Sequence, residues 1–249
     1  MNKITFGIAI IVTALMLNPP KKKIKLFLAG DSTCAIKEPK AFPEMGWGMP
    51  FVYFWDSAVT VVNKAKNGRS TSSFRDEGLW KQIMDEGGKG DYVFIQFGHN
   101  DEVPTKKTYT TEGEFKTNLT NYVKEAREQK MIPVLLTPVA RRKFDANGNI
   151  EGTHNVYSQI VREVATAEKA LLIDLDIKSQ ALLQSFGVEN SKLLFVQLKK
   201  GEHPNYPDGK EDNTHFSELG ARLIAQLVLQ QIRENVPELI PYIINPAKK

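Results

Sequence analysis

The chain has 249 residues, 41% of them hydrophobic and 25% charged, which is enough to bury one sizeable core; no linker or shift in composition asks for a second. Its formal charge of +4, from 33 basic against 29 acidic residues, is spread along the sequence. Without a dense basic block nucleic acid is set aside as a partner, whereas a mildly basic surface suits an acidic polymer as substrate.

Lys3 precedes an apolar run over residues 4–17, broken by Thr5, Gly7 and Thr13, in the manner of a secretory signal and short for a spanning helix. Residues 1–20 are therefore expected to be a signal peptide, or an uncleaved anchor, since residues 15–20 lack an Ala-x-Ala cleavage pattern. The remaining 21–249 are expected to fold outside the cytoplasm, secreted or periplasmic, as a monomer.

Residues 24–29 form an apolar run that reads as a strand buried on both faces, and Gly30-Asp31-Ser32-Thr33 ends it in turn-forming residues. Residues 46–55 read as a short apolar helix whose aromatics belong to the core, and 59–65 as a β-branched strand running into Asn67-Gly68-Arg69. A helix over 74–86 stops at Gly87-Gly88. A strand over 91–97 then leads into Gly98-His99-Asn100-Asp101. The next helix spans 111–130, with Thr111 and Glu114 as a capping box, and the next strand spans 132–137, ahead of Arg141 and Arg142. Helices over 156–169 and 177–186 flank a short strand at 171–174. Residues 191–209 read as irregular, and Ser217 caps a last helix over 218–235. Strand and helix alternate throughout, which predicts an α/β fold: a parallel sheet covered by helices on both faces.

Ser32 stands at a strand's end, where ligands bind in open α/β sheets, and so is a candidate nucleophile by position and by type. Cys34 is its neighbour, and as a single cysteine it reads as a small buried residue that forms no internal disulfide. Asp212 precedes His215 by three residues, so one tight turn would set its carboxylate against a ring nitrogen and leave the other facing Ser32. Of the other histidines, His154 and His203 lie in polar loops and read as solvated; His99, beside Asn100, is expected to shape the site. No spacing of metal ligands competes for them, and neither a metal nor a cofactor is expected.

Gly30-Asp31-Ser32, Gly68 after a strand, Gly98-His99-Asn100-Asp101 and Asp212-x-x-His215 resemble the four blocks of the SGNH (GDSL) hydrolases, in order and in rough spacing. Within that superfamily, residues 67–71, 95–101, 137–142 and 212–215 are most similar to the rhamnogalacturonan acetylesterases. The resemblance covers nearly all of the chain after about residue 24. It implies a three-layer α/β/α flavodoxin-like fold with a five-stranded parallel sheet, and a secreted enzyme that hydrolyses acetyl esters on pectic polysaccharide. Ser32 would be the nucleophile, His215 the base and Asp212 its orienting acid. The N–H groups of Ser32 and Gly68 and the amide of Asn100 would form the oxyanion hole. His99, Arg141 and Arg142 are expected to bind substrate, the guanidinium groups suiting uronate carboxylates. Alternatives left open are the same chemistry on xylan, other acetylated sugars or lipid esters, and a carbohydrate-binding module without the reaction.

Overall fold

The computed structural model describes residues 21–244; the signal or anchor expected over 1–20 lies outside them. Five strands form one parallel sheet: β1 (Ile24–Gly30), β2 (Val59–Asn63), β3 (Tyr92–Gln96), β4 (Ile132–Leu136) and β5 (Leu171–Ile173), in the order β2-β1-β3-β4-β5. This is the flavodoxin-like order, and the direction of winding reverses between β1 and β3. Loops after those two strands therefore part to open a crevice beyond their carboxyl ends.

Side chains alternate across the sheet, and in β1 Leu26 and Leu28 join one buried cluster while Phe27 and Ala29 join the other. On the first face lie α1 (Gly48–Phe51), α6 (Leu175–Asn190) and α7 (Glu218–Asn235). On the second lie α2 (Thr71–Asp76), α3 (Leu79–Glu86), α4 (Glu112–Glu128) and α5 (Asn155–Ala167). A strand buried on both faces must read as a near-continuous apolar run, which is how residues 26–29 of β1, 92–95 of β3 and 132–136 of β4 read. The aromatics of residues 46–55 pack as core: Trp47 meets Phe51 edge-on at 5.4 Å, and Phe51 meets Phe94 of β3 at 6.0 Å.

Three local expectations need correction. The single helix expected over 74–86 is two, because Gly78 takes a φ of 72° between α2 and α3. The segment 191–209 is not wholly irregular, since Phe195–Leu198 forms β6, which pairs antiparallel with β7 (Lys210–Phe216). Residues 212–215 thus lie in a strand, not in a tight turn. That strand is polar and short of alternation, so its sequence carries no signal with a period of two. No helix among the described residues is long and apolar enough to cross a membrane.

Candidate active site

Ser32 sits one turn past β1, in a loop fastened from several sides. The Asp31 carboxylate accepts from the N–H and hydroxyl of Thr33 at 2.9 and 2.8 Å, and the Asp31 carbonyl accepts from the N–H groups of Cys34 and Ala35. Beneath it, Gln96 of β3 donates to the Thr33 hydroxyl at 2.6 Å and accepts from the Trp47 indole at 2.6 Å. The serine is thereby held against the sheet by a buried hydrogen-bond network, in which Asp31 Oδ2 is the oxygen left without a hydrogen-bond partner. Cys34 is buried, and burial pushes its thiol up, so it does not compete as a nucleophile.

His215 comes from β7. Its Nε2 lies 3.0 Å from the Ser32 Oγ and its Nδ1 lies 2.8 Å from Asp212 Oδ2. The ladder with β6 shifts register between Phe195 and Gln197, so residues 212–215 make no regular pairs and their N–H groups are released. Asp212 Oδ1 uses that freedom, accepting from the N–H groups of Thr214 and His215 at 2.7 and 2.8 Å. Gln197 pins the bulge from β6 by donating to the Asp212 carbonyl at 2.7 Å. Burial by itself would raise the Asp212 carboxyl; the hydrogen bond and charge of His215 and the two backbone donors outweigh it and hold the group well below the usual carboxylate range. An anionic Asp212 facing Nδ1 leaves Nε2 as the nitrogen that can take a proton from Ser32.

Gly68 follows β2 with a φ of 79°, and a Cβ there would touch nothing within 4 Å; the backbone conformation, not crowding, calls for glycine. The N–H groups of Ser32 and Gly68 meet no acceptor among the described residues. Asn100 donates from Nδ2 to the Arg69 carbonyl at 2.9 Å, which leaves its second amide hydrogen unassigned. Its neighbour Asp101 is fully buried and ties the loops together, accepting from the Thr71 N–H and hydroxyl, the Thr110 hydroxyl and the Gly98 N–H. Even so, burial raises the Asp101 carboxyl to about 6.

Ser32, Gly68, His99, Asn100, Lys106, Arg141, Asp212 and His215 share one crevice of about 490 Å³ with Glu44, Asn67 and Thr214. A slightly larger groove, about 520 Å³, lies at the starts of α4 and α5, but no serine, cysteine or histidine lines it. Arg141 faces the crevice with its guanidinium already engaged: it donates to the Thr214 hydroxyl at 2.6 Å and to the His99 carbonyl at 3.2 Å, and lies 3.6 Å from Glu102. Arg142 does not reach the crevice, contrary to expectation. It donates to Ser191, to Asn213 and to the Val188 carbonyl, so its charge is spent tying residues 188–191 to β7.

One histidine also differs from its sequence reading. His154 is buried, not solvated: it packs 4.2 Å from His99 between ring centroids, with its Nδ1 2.8 Å from Glu102. His99 is 2% exposed, and its Nδ1 lies 3.5 Å from Asp31 Oδ2. Burial, with His154 beside it, pushes the His99 ring down to about 4 against the opposing pull of Asp31. Lys106 and Glu44 were missed in the sequence, since neither belongs to a motif. Glu44 sits between Lys37 and Lys210, and Lys210 Nζ is also 3.3 Å from Asp212 Oδ2. Glu44, Asp212 and His215 are the one group of clustered cation-ligand types among the described residues, and their donors are committed to these lysines and to each other.

The GDSL-like lipase/acylhydrolase family model matches residues 30–223, from the loop of Ser32 to the first turns of α7. The chain belongs to that family. Over 215 residues it is 46% identical to the rhamnogalacturonan acetylesterase RhgT of Bacillus subtilis, covering 86% of this chain and 91% of that one. A probable rhamnogalacturonan acetylesterase of the same organism, YesY, is 33% identical over 214 residues, covering 84% and 92%. Among solved structures, protein YxiM of Bacillus subtilis superposes with a TM-score of 0.74 at 27% identity, over 86% of this chain and 57% of that one.

Proposed function

We propose that the protein is a serine esterase that removes acetyl groups from a polysaccharide of the rhamnogalacturonan type. The observation that carries the reading is the unbroken line from Ser32 Oγ through both nitrogens of His215 to Asp212, opening on a polar crevice. Its similarity to RhgT and YesY supports acetyl as the group removed and rhamnogalacturonan as its carrier.

Ser32 Oγ attacks the acetyl carbonyl carbon while its proton passes to His215 Nε2, and Asp212 steadies the imidazolium so formed. The carbonyl oxygen becomes an oxyanion, met by the N–H groups of Ser32 and Gly68 and by the Asn100 amide, neutral donors fixed before the reaction begins. The intermediate collapses, the sugar oxygen leaves with the proton from His215, and the acetyl group stays on Ser32. Water, deprotonated by the same nitrogen, then releases acetate and restores the serine. Asp212 accepts three hydrogen bonds before any substrate arrives, so the orientation of His215 costs little at the moment of reaction.

Arg141 is the arginine placed to meet a uronate in the crevice, and an acidic polymer too large to enter a cell accords with the export expected of residues 1–20 as a signal. Acetate release from acetylated rhamnogalacturonan, compared with acetylated xylan and simple acetyl esters, tests the substrate. Labelling by a fluorophosphonate tests the chemistry. Failure of Ser32 to label would leave a binding module; labelling without release from any pectic substrate would leave an esterase of another specificity.

A further inference from the structure

A carboxamide has nearly the same shape with its nitrogen and oxygen exchanged, so packing alone does not tell an asparagine which way to face. At Asn100 two neighbours decide it. The Arg69 carbonyl can only accept and takes Nδ2 at 2.9 Å; the Lys106 ammonium can only donate and takes Oδ1 at 2.7 Å. Both demand the same orientation, the one that leaves the second N–H of the amide for the crevice.

We propose that Lys106 is a positioning residue for the oxyanion hole, holding the Asn100 carboxamide with its N–H toward the reacting carbonyl and polarising it for the charge that develops there. The inference rests on the reading of Asn100 as an oxyanion donor. Were the amide reversed, its oxygen would face the oxyanion and repel it. An ammonium on Oδ1 opposes that reversal, and its charge draws electron density from the amide nitrogen, making the N–H a stronger donor.

The loop that brings Lys106 to the site is fixed at both ends. Asp101 is tied to Thr71 and Thr110, the Thr110 N–H returns to the Asp101 carbonyl at 3.0 Å, and the Tyr157 hydroxyl donates to the Thr110 carbonyl at 2.6 Å. Inside the loop, the Lys106 N–H donates to the Val103 carbonyl and its own carbonyl accepts from Tyr109. The ammonium makes no salt bridge among the described residues, so no carboxylate competes with Asn100 for it. Lys106 is otherwise exposed, and substituting it leaves the core untouched.

The test measures kcat and KM on a small neutral aryl acetate, which has no carboxylate for a lysine to bind, for Lys106→Met, Lys106→Arg, Asn100→Ala and the double variant Lys106→Met/Asn100→Ala. The expected result is a fall of about tenfold in kcat for Lys106→Met with KM little changed, the pattern of an interaction realised only in the transition state. Lys106→Arg should retain most of the activity. In the Asn100→Ala background Lys106→Met should have almost no further effect, because the residue through which it acts is gone. Wild-type kcat in Lys106→Met, or an equal loss with and without Asn100, would overturn the role. A loss seen only as a raised KM on an acidic oligosaccharide would do the same and make Lys106 a substrate-binding cation. Full activity of Asn100→Ala would remove the oxyanion reading itself, and the inference with it, whereas an inert Lys106→Met beside a crippled Asn100→Ala sinks the lysine's role alone.

Discussion

Ser32 and His215 act as one unit in the proposed reaction, so removing either should cost nearly what removing both costs. Ser32→Ala or His215→Ala is expected to lower the rate of acetate release at least ~10³-fold with an unchanged circular dichroism spectrum. A tenth of the wild-type rate in Ser32→Ala, purified free of host esterases, would refute the nucleophile. Asp101 and His99 make a separate prediction about stability. The folded carboxyl of Asp101, near 6, lies above its ordinary 3.8, so the fold holds that proton more tightly than the unfolded chain does. Its contribution is complete below about pH 4 and disappears as pH rises through about 6. His99 runs the other way. Its folded value near 4 lies below 6.5, the unfolded chain binds the proton more tightly between those limits, and stability rises with pH there. Opposed slopes over one window give a nearly flat profile, and His99→Asn should expose the falling limb of Asp101. Urea midpoints at pH 4, 5 and 6 measure it; a profile for His99→Asn that climbs with pH would contradict the assignment. Asp31, held near 2 against the burial that would raise it by His99 and by the donors of Thr33, adds stability above pH 3.8 that is lost only in stronger acid.

Elements meet at the site through a few polar ties, and those ties rank the elements by how directly they aim the chemistry. The bulge in β7 is aimed by Gln197, whose amide holds the Asp212 carbonyl, so Gln197→Ala should lower kcat several-fold and cost about 1 kcal/mol of stability, the scale of one hydrogen bond. Loss of stability with kcat unchanged would make the tie merely structural. The turn after β2 depends on Gly68 in the left-handed region. Gly68→Ala meets no neighbour, so its cost is backbone strain of about 1 kcal/mol where the turn persists, and loss of a placed oxyanion donor where it relaxes. The measurement is kcat beside the urea midpoint: a lowered midpoint with full kcat shows that the turn persists and keeps its N–H in place, and a fall in kcat shows that it has relaxed.

At the scale of the molecule, a formal charge of +4 gives weak attraction for an acidic polymer, and specificity for it has to come from the crevice. Arg141 there is a bracket as well as a charge, joining Thr214, next to His215, to the His99 carbonyl, next to Asn100. Arg141→Gln should therefore lower kcat on a neutral acetyl ester and, in addition, weaken an acidic oligomer by roughly 1–3 kcal/mol, the scale of a lost charge-assisted hydrogen bond. Arg142→Gln should change neither quantity and lower the melting temperature instead. If Arg142→Gln selectively weakened the acidic substrate, its place outside the crevice would be contradicted.

The sequence by itself determined the layered fold and most of the site. Fully buried parallel strands must be apolar throughout, helices must show a face, and the turn residues that end each strand are visible where they stand; Ser32, Gly68 and Asn100 lie at such punctuation, whereas Asp212 and His215, inside β7, were legible only by their spacing. Strand order, the bulge in β7 and the partners of each charged group belong to the tertiary structure alone. Two arginines adjacent in sequence look alike, yet the alternate direction of neighbouring side chains sends Arg141 into the crevice and Arg142 to residues 188–191. His154 and Glu102 are 52 positions apart and Lys106 belongs to no motif, so their meetings with the site depend on loop paths that no local periodicity records. Local propensity is a property of a window of residues; an ion pair or a hydrogen bond across loops is a property of where the folded chain brings two windows together.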